Sequence, residues 1–209
     1  MGADMTRLLE IAKQQLGRKE DPPKSNKTIY GELYRLNGQP WCVIFLWWCF
    51  ITAGLQTLFY GGQRTASCSQ LLAWAESVGQ TVLPREARAG DVLFFNFDTG
   101  RSPEHCGLCV ERAGTIFQSI EGNTPLPEDE DNDGVAQKSR RLSQIVGVWR
   151  PKYEGGTDYD GRWSYAAICE AIQDGVLAGY PDGTFKPDRP VTREELAQFY
   201  VNLKKMLGR

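Results

Sequence analysis

The sequence lacks an excess of charge of either sign. Among its 209 residues, 24 are lysine or arginine and 26 are aspartate or glutamate, which leaves a formal net charge of −2. Proteins that bind nucleic acid usually present a basic surface to the phosphate backbone. We therefore expect no nucleic-acid partner for this chain.

Long apolar runs are missing as well. The most apolar stretch, residues 41–55, contains Thr52 and Gly54 and is shorter than the roughly 20 residues that cross a bilayer. The N-terminus carries Asp4 and Glu10 and has no apolar core behind a basic start, so it lacks the pattern of a secretory signal. We expect a protein that is made in the cytoplasm and has no membrane partner.

Cysteine is scarce, and the six in the chain do not form the dense pattern of a disulfide scaffold, so we expect mostly free thiols. Cys49, Cys68 and Cys169 fall in helical patterns, where a thiol packs as a small hydrophobic group. Cys106 and Cys109 lie three residues apart in a strand pattern and should point to opposite faces. Buried packing is therefore favoured for both of them over a redox pair or a zinc site.

The hydrophobic periodicity changes along the chain. Apolar residues at helical spacing predict three helices, at about 4–16, 41–53 and 67–77. From Gly90 onwards, short segments rich in β-branched and aromatic residues predict antiparallel strands. These strands are 92–97, 107–111, 115–120 and 145–149. Helices followed by strands favour an α+β domain in which the helices pack on one antiparallel sheet.

The composition changes again after Pro151. Residues 152–158 are polar and contain two glycines, which is typical of a linker, so we predict a first domain at 1–151 and a small all-α module at 159–209. Two helices forming a hairpin are predicted in the module. The first starts at Trp163, and the second follows a capping box between Thr192 and Glu195. Such a hairpin buries little surface, so we expect it to dock or to self-associate.

A single histidine restricts the acid–base chemistry open to the chain. His105, at the start of a predicted strand, is the residue type that titrates near neutral pH without perturbation, and an exposed strand end suits a base. Cys42 is the candidate nucleophile because it begins an apolar helix, whose dipole and free N–H groups stabilise a thiolate. Glu121 and Asn123 end the next predicted strand, and either can orient the imidazole. We favour Glu121.

Four segments in this order resemble the successive motifs of CHAP domains, which are papain-like cysteine amidases and peptidases of bacterial cell walls. The segments are Trp41–Phe45, Gly90–Phe95, His105–Val110 and Ile120–Thr124. The resemblance extends over residues 1–151. The chain departs from the family at Cys106 and Cys109, where aliphatic residues are usual, and this departure leaves the predicted catalytic residues unchanged.

The resemblance to CHAP domains implies a papain-like fold and a role for each catalytic candidate. Cys42 would attack an amide carbonyl as a thiolate, and His105 would activate the thiol and protonate the leaving amine. Glu121, or Asn123 as the alternative, would hold the imidazole in the required tautomer. The backbone N–H of Cys42 would contribute to an oxyanion hole.

An acidic repeat lies between the last two predicted strands. Asp129, Asp131 and Asp133, followed by Gly134, match the start of a calcium loop, but the twelfth position is Arg140 and not a bidentate glutamate. A solvated acidic loop is favoured. We therefore expect no cofactor and no metal, and keep Ca²⁺ at the three aspartates as the alternative.

The C-terminal module resembles an S-layer homology motif through Gly179–Pro187 and Val191–Leu196. That family attaches proteins to cell-wall polysaccharide, often pyruvylated, so the resemblance implies that Arg193, with Trp163 and Lys186, meets an acidic wall polymer. A planar guanidinium can bind both oxygens of a carboxylate, and the alternative is that Arg193 caps the helix or pairs with a neighbouring carboxylate. The family usually has three such motifs and this chain has one, so we expect a homotrimer to restore the number.

Together the two resemblances predict a peptidoglycan hydrolase with the layout of a bacteriophage endolysin, which reaches the wall through a separate holin-type pore. Its partners would be peptidoglycan and secondary cell-wall polysaccharide. An N-acetylmuramoyl-L-alanine amidase is favoured, and an endopeptidase of the same mechanism is the first alternative. A catalytically inactive wall-binding protein is the second, and a cysteine acyltransferase with a cytosolic substrate is the third.

Overall fold

The computed structural model describes residues 2–98, 100–153, 162–164, 167–168, 171, 176–178 and 185–207. The chain forms two compact units, one of Asp4–Tyr153 and one that joins Met1–Ala3 to Glu154–Arg209. Within the described ranges, no helix combines the length and the apolar character that a bilayer crossing requires.

Four α-helices precede the sheet in the larger unit: α1 (Ala3–Lys13), α2 (Ile29–Tyr34), α3 (Cys42–Thr52) and α4 (Cys68–Ser77). The predicted helices correspond to α1, α3 and α4. The sequence pattern does not predict α2, because six residues are too few to show a helical repeat. This helix is defined by its ends, where Thr28 accepts a hydrogen bond from the Gly31 N–H and Arg35 adopts a left-handed conformation.

The sheet has five strands in the order β4-β3-β2-β1-β5, and all neighbouring strands are antiparallel. The strands are β1 (Val92–Phe95), β2 (His105–Ala113), β3 (Ile116–Leu126), β4 (Asp129–Arg141) and β5 (Ile145–Trp149). The prediction of an α+β unit with helices and one antiparallel sheet is confirmed. The segment around Glu121 lies inside β3 and not at its end, since β3 continues to Leu126.

The prediction of an acidic loop at 129–134 is wrong. This segment begins β4, the longest strand, which pairs with β3 from Leu126↔Asp129 to Ile116↔Arg141. The strand escapes detection because its residues are mostly polar, whereas the strand pattern used for prediction is an apolar one. Charged residues are common on edge strands, where they discourage pairing with another chain.

The main core lies between the helices and one face of the sheet. Helix α3 is apolar on nearly all sides, with Val43–Leu46 fully buried, and it contacts both β2 and β3. Each large side chain buried in this way contributes roughly 1.5–3 kcal/mol. A smaller apolar cluster covers the opposite face and includes Leu93, Phe95 and Phe117. Both faces of the sheet are thus buried near the start of β2.

In the second unit, the structure describes one long helix, α5 (Arg193–Met206). The predicted capping box is confirmed, because Thr192 accepts from the Glu195 N–H and Glu195 accepts from the Thr192 N–H. On the apolar face of α5, Leu196 and Tyr200 are more than half exposed, whereas Phe199 and Leu203 are partly buried within this unit. The predicted first helix of the hairpin, from Trp163 to Gly175, lies largely outside the described residues.

Candidate active site

Cys42 is the first residue of α3 and is 6% exposed. The start of the helix is fixed by its neighbour Trp41, whose backbone N–H donates to Asn123 Oδ1 at 3.0 Å and whose indole N–H donates to Glu20 Oε1 at 2.9 Å. At this position the thiol faces the positive end of the helix dipole, and the Cys42 N–H has no partner within the helix. Both properties favour a thiolate and an adjacent anion-binding position.

His105 is the first residue of β2, opposite Phe95 of β1. The prediction that it lies at an exposed strand end is wrong, since the residue is only 9% exposed. The rings of Phe95 and Phe97 lie beside the imidazole, at centroid distances of 6.1 and 6.0 Å. Its Nε2 lies 3.0 Å from Glu121 Oε2. The aromatic cover leaves the imidazole in a nearly dry environment.

Glu121 has no exposed surface and accepts hydrogen bonds on both oxygens. The Ser119 hydroxyl donates to Oε1 at 2.5 Å, Arg140 Nε donates to Oε1 at 2.8 Å, and a second Arg140 nitrogen bonds Oε2. Burial raises the pKa of this carboxyl, but the hydrogen bonds from Arg140 and His105 outweigh it and lower the pKa below its ordinary value. Glu121 is therefore ionised and presents a carboxylate to the imidazole.

Arg140 is a member of the site that sequence reasoning did not find. It projects from β4 and lies over the Phe97 ring at 4.6 Å. In the sequence it was visible only as the wrong residue for a calcium loop. The alternation of side chains along β4 is the signal that could have found it. Ala136 is paired with Glu121, and Arg140 lies four residues further along β4, so its side chain is on the same face of the sheet as Glu121.

Asn123 belongs to a different network from the imidazole. It accepts from the Trp41 N–H, and its amide nitrogen donates to Asn26 Oδ1 at 3.1 Å and to Asp133 Oδ2 at 3.2 Å. Its backbone is left-handed, with φ of 57°, at the irregularity that interrupts the pairing of β3 with β4. Among the described side chains, the carboxylate that reaches His105 is that of Glu121. Asn123 instead ties the start of α3 to the sheet.

Two further cysteines surround the Cys42 sulfur. Cys68 is the first residue of α4 and Cys106 is the second residue of β2. The Sγ atoms of Cys42 and Cys68 are 3.8 Å apart, and the three sulfurs all lie within 4.8 Å of one another. The sequence predicts that Cys68 packs as a small hydrophobic group in a helix and that Cys106 is a buried residue of a strand. The contact could not be foreseen, because it joins three elements that are remote in the chain.

Among the three thiols of Cys42, Cys68 and Cys106, Cys42 is the one that carries the negative charge. Hydrogen bonds from Cys106 and then from Cys68 lower its pKa, and with the contribution of His105 they outweigh burial and hold it well below the ordinary value. Burial raises the pKa of Cys106 well above its ordinary value. For Cys68, the bond to Cys106 favours the thiolate, but the bond to Cys42 and burial prevail and raise the pKa. Two neutral thiols thus stabilise one thiolate.

The pKa of His105 responds to the same thiolate. Burial lowers it, but hydrogen bonds to Cys42 and Glu121 outweigh burial and raise the pKa to about 9. Near neutral pH the site therefore holds a thiolate and an imidazolium side by side. Such a pair combines an ionised nucleophile with a proton donor for a leaving group.

The acidic repeat has protein partners at both ends. Asp129 forms an ion pair with Lys19 at 3.1 Å, and Asp133 accepts from Asn123. The side chain of Asp131 lies outside those that the structure describes. The absence of a metal at this repeat stays a prediction, with Ca²⁺ as its alternative.

The predicted wall-binding residues are accessible in the second unit. Trp163 is 98% exposed, and Arg193 and Lys186 are exposed at the start of α5 and in the turn before it. Lys186 has a left-handed backbone with φ of 55°. Residues 179–184 of the predicted motif lie outside the described ones. The contribution of the three side chains to binding stays a prediction.

Comparison with known proteins identifies the C-terminal segment. Residues 157–197 match the S-layer homology domain, which confirms the predicted motif. Cell surface glycoprotein 1 of Acetivibrio thermocellus is 46% identical over 50 residues, covering 23% of this chain and 2% of that protein. The cellulosome-anchoring protein of the same organism is 38% identical over 50 residues, covering 24% of this chain and 11% of that protein. The chain spans only a small part of both relatives.

Two solved structures are similar to part of the chain. The endolysin LysIME-EF1 shares 19% identity with a TM-score of 0.43, over 72% of this chain and 65% of that one. Ly7917 shares 13% identity with a TM-score of 0.45, over 70% of this chain and 62% of that one.

Proposed function

We propose that this chain is a cysteine-dependent peptidoglycan hydrolase that an S-layer homology module directs to the cell wall. The observation that carries the proposal is the buried series Cys42, His105 and Glu121, completed by the partly exposed Arg140, in which a thiolate, an imidazolium and an ionised carboxylate follow one another. The first three supply the residue types that covalent acyl transfer uses as nucleophile, acid–base group and orienting group, and Arg140 holds the carboxylate, which supports the proposal.

The proposed reaction begins with attack of the Cys42 thiolate on an amide carbonyl. The resulting oxyanion is stabilised by the Cys42 backbone N–H at the start of α3. His105 then gives its proton to the departing amine, which leaves a thioester on Cys42. Water attacks this thioester, His105 takes a proton from it, and the carboxylic acid product and the thiolate are released.

Glu121 acts on the imidazole and not on the substrate. Its Oε2 holds Nε2 of His105, so the other ring nitrogen remains available on the Cys42 side. Arg140 and Ser119 fix the carboxylate in turn. The carboxylate also stabilises the imidazolium that must be present when the amine departs.

The S-layer homology domain supports a wall-bound location. Relatives of this segment are named as a cell surface glycoprotein and as a cellulosome-anchoring protein. We infer that Arg193, with Trp163 and Lys186, binds an acidic cell-wall polysaccharide, and that attachment raises the local concentration of the hydrolase at its substrate. The exposed apolar side chains of Leu196 and Tyr200 on α5 support self-association through this module, with a trimer restoring the usual three motifs. A monomeric mass in light scattering at micromolar concentration would contradict that trimer.

The bond that we favour is the amide between muramic acid and L-alanine, with a peptide bond of the stem or cross-bridge as the alternative. The two differ in their products, because an amidase creates a new alanine N-terminus whereas an endopeptidase leaves shortened stems on the glycan. Delivery from the cytoplasm through a holin-type pore belongs to the same proposal. A chain that binds walls without cleaving them is the non-enzymatic alternative.

Turbidity clearing of purified Gram-positive walls tests the proposal. Wild type and Cys109→Ala should clear the suspension and Cys42→Ala should not, since Cys109 is a buried thiol of the opposite cluster. The new end groups then identify the bond. Clearing by Cys42→Ala at the wild-type rate would contradict a thiol mechanism, and wall sedimentation without clearing by wild type would favour the non-enzymatic alternative.

A further inference from the structure

We propose that Cys42, Cys68 and Cys106 form a binding site for a thiophilic divalent cation, best matched by Zn²⁺, and that the bound ion blocks the nucleophile. The proposed catalytic reaction uses only the first of these three sulfurs. The other two come from separate elements, the start of α4 and the start of β2, and converge on it. Such convergence of buried thiols outside the catalytic requirement indicates a second property of the site.

The sulfur spacing fits tetrahedral zinc. Zinc–thiolate bonds are about 2.3 Å long, so two sulfurs on one tetrahedral ion are about 3.8 Å apart. The Sγ atoms of Cys42 and Cys68 are already 3.8 Å apart. Cys106 Sγ lies within 4.8 Å of both, so a small rotation of its side chain brings it to the same spacing. A disulfide, by contrast, would require two sulfurs to approach to about 2.05 Å.

The surroundings suit an ion held by thiolates. Cys42 and Cys68 are each the first residue of a helix, where the dipole favours negative charge. Cys106 is fully buried in the first part of β2. All three ligands therefore come from regular elements of fixed position and not from loops, as a preorganised site requires.

His105 is the proposed fourth ligand, and its side chain has to move towards the sulfurs, because the group whose ligand atoms lie within 4.8 Å of one another comprises the three cysteines. His105 is adjacent to Cys106 in β2, it interacts with Cys42, and its Nε2 is engaged by Glu121, which leaves Nδ1 for the ion. A metal-bound imidazole usually places its other nitrogen against a carboxylate, as this one does. Three cysteines and one histidine form a common structural zinc set. Binding displaces the protons of the thiols and the imidazolium to solvent.

Inhibition is the functional consequence, and this part rests on the proposed hydrolase. An ion on Cys42 Sγ removes the free thiolate, and an ion on His105 removes the proton donor. A strong chelator would restore both. Ion binding itself does not depend on any hydrolytic activity, so the two proposals can fail separately.

Cobalt titration of the reduced full-length chain tests the site directly. Co²⁺ should bind in one equivalent and give a thiolate-to-cobalt charge-transfer band with the intense visible bands of a tetrahedral ion, and Zn²⁺ should displace it. Cys68→Ala and Cys106→Ala should each bind at least about tenfold more weakly, a loss seen when even an outer partner of a ligand is removed. Cys109→Ala, which removes a buried thiol of the opposite cluster, should bind like wild type.

A measurement on wild type alone guards against variants that do not fold. Zn²⁺ should protect Cys42 from alkylation, read out residue by residue by mass spectrometry, and a chelator should remove the protection. Absence of the charge-transfer band in wild type, or an equal band in the Cys68→Ala/Cys106→Ala double variant, would overturn the site. A charge-transfer band in a chain that does not clear walls would support the metal site and count against the proposed hydrolase. Clearing that is insensitive to Zn²⁺, without a charge-transfer band, would support the hydrolase and contradict the metal site.

Discussion

The two faces of the sheet carry different chemistry, and β2 connects them. Cys106 packs with the helices on one face, whereas His105, the residue before it, lies against the aromatic cluster of the other face with Glu121 and Arg140. Successive residues of a strand point to opposite faces. The start of β2 therefore places the His105 imidazole and the Cys106 thiol on opposite faces of the sheet, and both groups interact with the Cys42 sulfur.

The helix-covered face supplies neutral thiols, and the opposite face supplies fixed charges. Glu121 on the charged face holds the imidazole of His105, while the thiols of the helix-covered face lower the pKa of Cys42. Substitutions on the two faces should accordingly change different observables, and the charged face should show the larger effects.

The largest effect is expected from Glu121→Gln. The amide keeps the shape but loses the charge that stabilises the imidazolium and fixes its tautomer, and the equivalent change in a serine triad lowers kcat by about 10⁴-fold. We expect kcat for wall cleavage to fall by about 10³- to 10⁴-fold. Product release from labelled walls measures it, and a loss below about tenfold would show that the carboxylate does not orient His105.

Arg140→Ala should be the most destabilising change on the charged face. It leaves the carboxylate of Glu121 buried without its cation, and breaking a buried pair costs about 3–5 kcal/mol. Urea unfolding of the full chain measures the free energy. Arg141→Ala is the matched control, because this neighbour is exposed on the same strand and should change stability by less than about 0.5 kcal/mol. Equal effects of the two changes would contradict the buried network.

On the thiol face, Cys106→Ala should raise the pKa of Cys42. The hydrogen bond from Cys106 is the largest of the influences that lower this pKa, and alanine cannot donate one. The rate of alkylation of Cys42 against pH reports the change. Cys109→Ala should leave the profile unchanged, since burial raises the pKa of Cys109 to about 12 at a site in the other cluster. Identical profiles for both variants would remove the distinction between the faces.

The smallest expected effect is the decline of activity at high pH, which depends on groups from both faces of the sheet. The pKa of His105 is raised from 6.5 to about 9, so the imidazolium persists through neutral pH and is lost above about pH 9. We expect kcat/KM to decline above that pH. Because the folded pKa lies above the unfolded value, the stability contributed by this proton is complete below about pH 6.5 and disappears as pH rises through about 9. A limit near pH 6.5 would show that the neighbours do not act on His105.

Sequence reasoning anticipated those parts of the site whose signal is local. Cys42 stands at the start of an apolar helix, His105 begins a strand pattern, and Glu121 follows in the next one, so each could be selected from its own segment. Their catalytic roles remain predictions. The buried state of His105 escaped notice because the aromatic rings around it come from the preceding strand and loop.

Features that depend on pairing between remote segments were not predictable in the same way. Arg140 meets Glu121 only through the register of β3 with β4, and β4 itself is too polar to show a strand pattern. Cys68 and Cys106 reach Cys42 through the packing of α4 and β2 against α3. Contacts of this kind depend on the tertiary fold, and the hydrophobic periodicity of one segment does not indicate them.

Alkylation of the full chain by iodoacetamide at about pH 6, with residue-resolved mass spectrometry and wall clearing followed in parallel, tests the central claim most directly. An ionised nucleophile predicts that Cys42 is modified first, while Cys49 and Cys109 remain free, and that clearing is lost in proportion to its modification. Full modification of Cys42 with clearing retained would contradict the account.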